Sequence, residues 1–129
     1  GGLFESRWTI APASDRQGLR LAGEPIALRD VREYVSEPIV PGTVQLPPSG
    51  QPIVLLADAQ THGGYPRIGH AIRADRGRLA QLRGGDRIRF APCTPAEALA
   101  ASHERAHALA RIALAIAGRT GVAPARASA

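Results

Sequence analysis

From Arg7 to Phe90 the apolar runs are short and broken by prolines and glycines, and this punctuation is what limits the fold. The 129 residues include 11 prolines and 14 glycines, which favours short strands joined by tight turns over long helices. Arg7–Pro12 (RWTIAP) reads as a strand with Trp8 and Ile10 on one face. Ser14 to Gly18 follows as a turn in which Ser14 and Asp15 can bond nearby amides, and Leu19–Leu21 resumes an extended pattern. Thr43–Leu46 and Ile68–Ile72 read as further strands, and DRIRF, Asp86–Phe90, alternates as a half-exposed one. Between these last two, Asp75 is placed as the N-cap of a short helical turn, Leu79–Leu82.

The texture changes at Thr94. Thr94-Pro95-Ala96-Glu97 combines an N-cap, a proline at the first helical position and a glutamate at the third. An alanine-rich helix is predicted from there to Gly118, its C-cap, with Leu99, Ala106, Leu109, Ala110, Ala113 and Ile116 on one face. Residues 119–129 read as a disordered tail. The expected fold is mainly β, a barrel or sandwich over 1–92 with a short helix, followed by a long C-terminal α-helix over 93–118.

Composition excludes several chemistries. All 16 basic residues are arginine, so there is no lysine for a P-loop, a Schiff base or a covalently attached biotin. Seven arginines crowd Arg67–Arg89, yet no interleaved aromatics or helix-turn-helix spacing accompany them, which argues against nucleic acid. The single cysteine, Cys93, cannot form an internal disulfide and fits a reducing cytoplasm. No membrane-length apolar run is present, so no membrane partner is expected. His103 and His107 lie four apart on the helix but lack a third ligand, so no metal is expected.

The segment richest in chemistry is Pro52–Ile68, PIVLLADAQTHGGYPRI. Its apolar run, Ile53–Ala57, has the character of a strand buried on both faces and ends at Asp58. Asp58, Gln60, Thr61 and His62 then supply a carboxylate, an amide, a hydroxyl and an imidazole, and Gly63 and Gly64 allow positive φ or close approach of a ligand. The same residues fit a ligand site and a tight turn that merely needs glycine. Asp58 can act on a substrate nitrogen or hold a metal near phosphate; equally, it can cap the loop by accepting from the amides of Gln60 and Thr61. Arg16 can clamp a carboxylate or phosphate, or pair with Asp15 at the surface.

SDRQGLRL, REYVSEPIVPGTVQLPPSGQPIVLLADAQTHGGYPRIGHAI and LAQLRGGDRIRF resemble the C-terminal part of the biotin-dependent carboxyltransferase family, also called allophanate hydrolase subunit 2. ADAQTHGGYP is similar to the oxoprolinase and kinase-inhibitor-antagonist type rather than to the urea carboxylase type. Gln17 and His62 depart from the family's usual residues, and the chain corresponds to roughly half of a family member. The resemblance implies a cyclophilin-like β-barrel subdomain. It also implies an ATP-dependent 5-oxoprolinase, a hydrolase acting on a cyclic amide together with partner A and B subunits. The alternatives are carboxyl transfer to a urea-like substrate, with biotin carried on another protein, and a non-catalytic regulator of a kinase inhibitor. By the same resemblance Asp58, Gln60 and Thr61 are the candidate catalytic residues, and Arg16, Glu33, Gln45, Gly63, Gly64 and Tyr65 the candidate substrate-binding ones.

Overall fold

The computed structural model describes residues 2–28 and 35–120. It divides the chain into two compact units, Gly1–Pro92 and Cys93–Ala129. The first unit is built on β1 (Trp8–Ile10), β2 (Gly18–Ala22), β3 (Glu37–Pro38), β4 (Thr43–Gln45), β5 (Ile53–Leu55), β6 (His62–Gly63), β7 (Arg67–His70) and β8 (Arg87–Ile88). A 3₁₀ turn, Arg73–Asp75, leads into α1 (Arg76–Leu79) before β8. Six strands form one antiparallel sheet in the order β7-β4-β5-β2-β1-β8, and β3 pairs β6 in a separate ribbon. The architecture is mainly β.

Period-two alternation decides what the sheet buries. Trp8 and Ile10 in β1, Leu19 and Leu21 in β2, Val44 in β4 and Val54 in β5 point to one face, where Leu3 and Leu79 complete an aliphatic core. Trp8 is fully buried, and its indole Nε1 donates to the Leu3 carbonyl at 3.1 Å. That bond satisfies the one polar atom the indole carries inside. The β1–β2 turn behaves as its residues demand: Ser14 Oγ accepts from the Arg20 amide at 2.9 Å, and Asp15 Oδ1 accepts from the Gln17 amide at 2.8 Å.

Several boundaries differ from expectation. The central strand stops at Leu55, not Ala57, because its partner β2 begins at Gly18 and the preceding turn carries the chain away. Beyond it, the Leu56 amide donates to the Gln17 carbonyl and the Asp58 amide to that of Arg16. Asp58 is therefore an exposed turn residue and not the end of a buried run. Asp75 stands at the N-cap of α1 as expected, but the helix is Arg76–Leu79 and not Leu79–Leu82. Asp75 itself is in a helical conformation, so its carboxylate makes no cap hydrogen bond and lies 3.8 Å from Arg78.

The second unit contains α2, Pro95–Thr120. Its start is a reciprocal capping box: the Thr94 amide donates to Glu97 Oε2 at 2.6 Å, and the Glu97 amide donates to Thr94 Oγ1 at 3.2 Å. The Thr94 amide, and after it the Thr94 hydroxyl, which donates to Glu97 Oε2 at 2.9 Å, hold the Glu97 carboxyl below its ordinary pKa. Gly118 does not end the helix, which runs through it to Thr120. Residues 121–129 lie outside the described residues. Among the described residues no helix is long and apolar enough to cross a membrane.

Candidate functional site

The face of the sheet opposite the core carries a cleft of about 250 Å³. Its floor follows directly from strand register. Leu19 pairs with Val54 and Val54 with Val44, so these three face the core as one row. The adjacent row, one residue along each strand, is Arg20 opposite Ile53 opposite Gln45, and it must face the other way. Gly18 and Leu55 extend this floor. Asp15 and Gln17 from the β1–β2 turn, Ile39 after β3, and Ala59 to Tyr65 apart from Thr61 supply the walls.

Gln45 sits at a disruption in the sheet. β4 pairs with β7 as Thr43 with His70 and Val44 with Gly69, but Gln45 then faces Arg67, so Ile68 is an extra residue on β7. A bulge of this kind re-aims the side chain beside it. Gln45 is only 5% exposed, and its Nε2 finds no hydrogen-bond partner among the described residues. Gly63 lies over that amide so closely that a Cβ there would stand 2.6 Å from Nε2 and 3.0 Å from Ile39 Cδ1. Gly63 is thus glycine for space. Among the described residues positive φ occurs at Gly42, Gly50 and Gly85, and at neither Gly63 nor Gly64, which corrects that part of the sequence reading.

The other expected site residues divide between the cleft and its rim. Gln60, Gly64 and Tyr65 line the cleft. Thr61 does not, and its hydroxyl lies 3.1 Å from His62 Nδ1. Asp58 and Arg16 lie outside the lining and pair with each other, Arg16 Nε to Asp58 Oδ2 at 3.2 Å. Asp58 therefore does not cap Gln60 and Thr61, and Arg16 does not pair with Asp15. Glu33 falls outside the described residues.

Arg20, Asp15 and Gln17 line the cleft without having been singled out from sequence. The signal for Arg20 was available, since it stands two residues from Gly18 on one strand face. Among the described residues no carboxylate pairs with its guanidinium. Asp15, by contrast, is committed to two backbone amides. The cleft therefore offers side-chain amides at Gln17, Gln45 and Gln60, the Arg20 cation and an aliphatic floor at Ile53 and Leu55, which suits a small, flat, oxygen-bearing ligand. Among the described residues no cluster of three or more His, Cys, Asp or Glu side chains is placed to hold a metal.

A family model for the carboxyltransferase domain, subdomain A and B, matches residues 2–92. The chain belongs to this carboxyltransferase-domain family. It is 51% identical over 87 residues to the C subunit of 5-oxoprolinase from Haemophilus influenzae, covering 67% of this chain and 28% of that one. It is 45% identical over 103 residues to the C subunit of 5-oxoprolinase from Escherichia coli, covering 80% of this chain and 33% of that one. The chain thus spans about a third of the length of these relatives, less than the half expected from sequence. The solved structure of TTHA0988 is 39% identical with a TM-score of 0.62, over 70% of this chain and 18% of that one. Urea carboxylase of Kluyveromyces lactis superposes with a TM-score of 0.76 at 19% identity, over 81% of this chain and 10% of that one, and shows the carboxyltransferase-domain fold alone.

Proposed function

We propose that the chain is a subunit of an ATP-dependent 5-oxoprolinase, or part of one, that opens the lactam of 5-oxoproline to glutamate with partner A and B subunits in the cytoplasm. The observation that carries this reading is the 51% and 45% identity to the C subunits of two 5-oxoprolinases. The cleft supports it chemically. A five-membered lactam can lie flat against Ile53 and Leu55, with its polar edge toward the amides of Gln45 and Gln60.

In this reading the rim carboxylate of Asp58 is the acid–base group, and Arg16 beside it orients it. Gln60 and Thr61 assist from the same loop, and Gly64 and Tyr65 shape the cleft wall. ATP does not fit the described residues. Gly63 and Gly64 form no left-handed nest, and the chain holds no lysine. The nucleotide is therefore assigned to the assembled enzyme, and no step is routed through it here.

The test is to co-express the chain with homologues of the A and B subunits and measure ATP-dependent release of glutamate from 5-oxoproline. Release that requires all three components supports the proposal. A correctly assembled complex that releases none overturns it, and urea carboxylation by that complex with a carboxybiotin-bearing partner would replace it with carboxyl transfer.

A further inference from the structure

We infer that Gln45 selects the ligand of the cleft, its Nε2–H donating a hydrogen bond to a carbonyl oxygen. The inference rests on the 5-oxoprolinase reading for its substrate class, and adds the residue and the atom that recognise it.

A buried amide nitrogen without a partner has lost its water and gained nothing in exchange, so it destabilises the fold that carries it. Gln45 is in that position: its residue is 5% exposed and its Nε2 is buried with no acceptor among the described residues. A methionine would fill the same space with no such loss, so the fold itself does not require glutamine. Gln45 also lines the cleft, so its amide is buried in the cleft wall. The bulge between β4 and β7 turns the side chain, and Gly63 withholds the Cβ that would stand 2.6 Å from the nitrogen. An unpartnered donor in the cleft wall, a backbone bent to aim it and a glycine that makes room for it together describe half of a hydrogen bond whose acceptor is the ligand.

Gln45 shares the cleft floor with Ile53 and Arg20, in that order across the strands. A ligand held by its carbonyl at Gln45 would lay its ring on Ile53 and direct an anionic group toward Arg20. Gln45 therefore discriminates a ring that carries a carbonyl from one that does not, while Arg20 contributes to both alike.

Three probes isolate that difference: 5-oxoproline, 3-oxocyclopentanecarboxylate, which keeps the carbonyl without the N–H, and cyclopentanecarboxylate, which has neither. Binding is measured calorimetrically on the complete chain and on Gln45→Met and Gln45→Glu. The wild type is expected to bind both carbonyl-bearing probes at least about tenfold more tightly than cyclopentanecarboxylate. Gln45→Met should erase that preference while melting no lower than the wild type, because it removes an unsatisfied buried group. Gln45→Glu should also erase it near neutral pH and regain part of it in acid, where the carboxyl can donate.

A wild type that does not discriminate, variants that keep the wild-type preference, or a loss of preference matched by a fall in melting temperature each overturn the inference. The two proposals fail separately. An assembly that releases glutamate at unchanged kcat/KM with Gln45→Met overturns the role of Gln45 and leaves the 5-oxoprolinase reading. Carbonyl selection through Gln45 in a complex that releases no glutamate does the reverse.

Discussion

Arg16 and Asp58 are joined twice: Arg16 Nε lies 3.2 Å from Asp58 Oδ2, and the Asp58 amide donates to the Arg16 carbonyl at 3.2 Å. The backbone bond fixes the two turns side by side, so the ion pair needs little further ordering of either side chain. Both side chains are well exposed, and an exposed pair of this kind contributes about 0–1 kcal/mol. Asp58→Asn keeps the shape and removes the charge. It is expected to leave the melting temperature near that of the wild type while lowering turnover of the assembled enzyme on the order of 10²-fold. Thermal melts beside steady-state kinetics check this, and proportionate losses in both would reduce Asp58 to a residue that merely ties two turns together.

The glycines separate by the same kind of reasoning. Gly42 has φ +95°, and a Cβ there would stand 3.0 Å from the Ala71 carbonyl, so Gly42→Ala should cost about 1–3 kcal/mol in folding. Gly64 does not adopt positive φ and lines the cleft. Gly64→Ala should therefore melt like the wild type and bind 5-oxoproline more weakly. Denaturation and binding measured on the two variants should give opposite patterns, and a destabilised Gly64→Ala would contradict this account.

His70 supplies a pH dependence. Burial, and after it the Arg76 guanidinium, lower its pKa below the ordinary 6.5. Arg76 Nη2 lies 3.0 Å from His70 Nε2, so that nitrogen must accept and the proton sits on Nδ1, facing Thr43 Oγ1 at 3.5 Å. Between the lowered folded pKa and 6.5 the unfolded chain binds more protons than the folded one, so stability rises with pH across that window. The contribution is fully present above 6.5 and is lost as pH falls through the folded value. Urea titrations at about pH 7.5 and about pH 5 should show a larger loss for the wild type than for His70→Gln. Equal losses would mean that the ring carries no linked proton.

Local rules made the core and the helix start legible, and register made the cleft hard to see. WTI buries Trp8 and Ile10 as period two requires, and Thr94 with Glu97 forms the capping box that their spacing announces. Arg20, Ile53 and Gln45 are far apart in sequence and become one row only through pairings of β2, β5 and β4. The bulge at Gln45 depends on how β7 meets β4, which no single segment encodes. Asp58 was misplaced because the length of β5 is set by where its partner turns away, and Asp75, though at the N-cap, makes no cap bond because it also closes a 3₁₀ turn. Asp58, Gln60, Thr61 and Gly64 were all legible as one polar loop, but which of them face the cleft depended on the fold around it.

The helical unit gives the last prediction. Leu109 and Ile112 lie three apart on α2, which puts them on one face, and each is more than half exposed. Leu114, exposed as well, lies off this stripe. One helix cannot bury such a stripe against itself, and burying each of these side chains against another surface is worth about 1.5–3 kcal/mol. The isolated chain is therefore expected to self-associate with rising concentration, through this stripe. Sedimentation velocity should show a concentration-dependent weight average for the wild type and a monomer for a Leu109→Glu, Ile112→Glu variant. Circular dichroism must show that this variant keeps its helix, since the capping box at Thr94 is untouched. A wild type that remains monomeric at all concentrations, or a variant that associates as before, would show that the stripe drives no assembly.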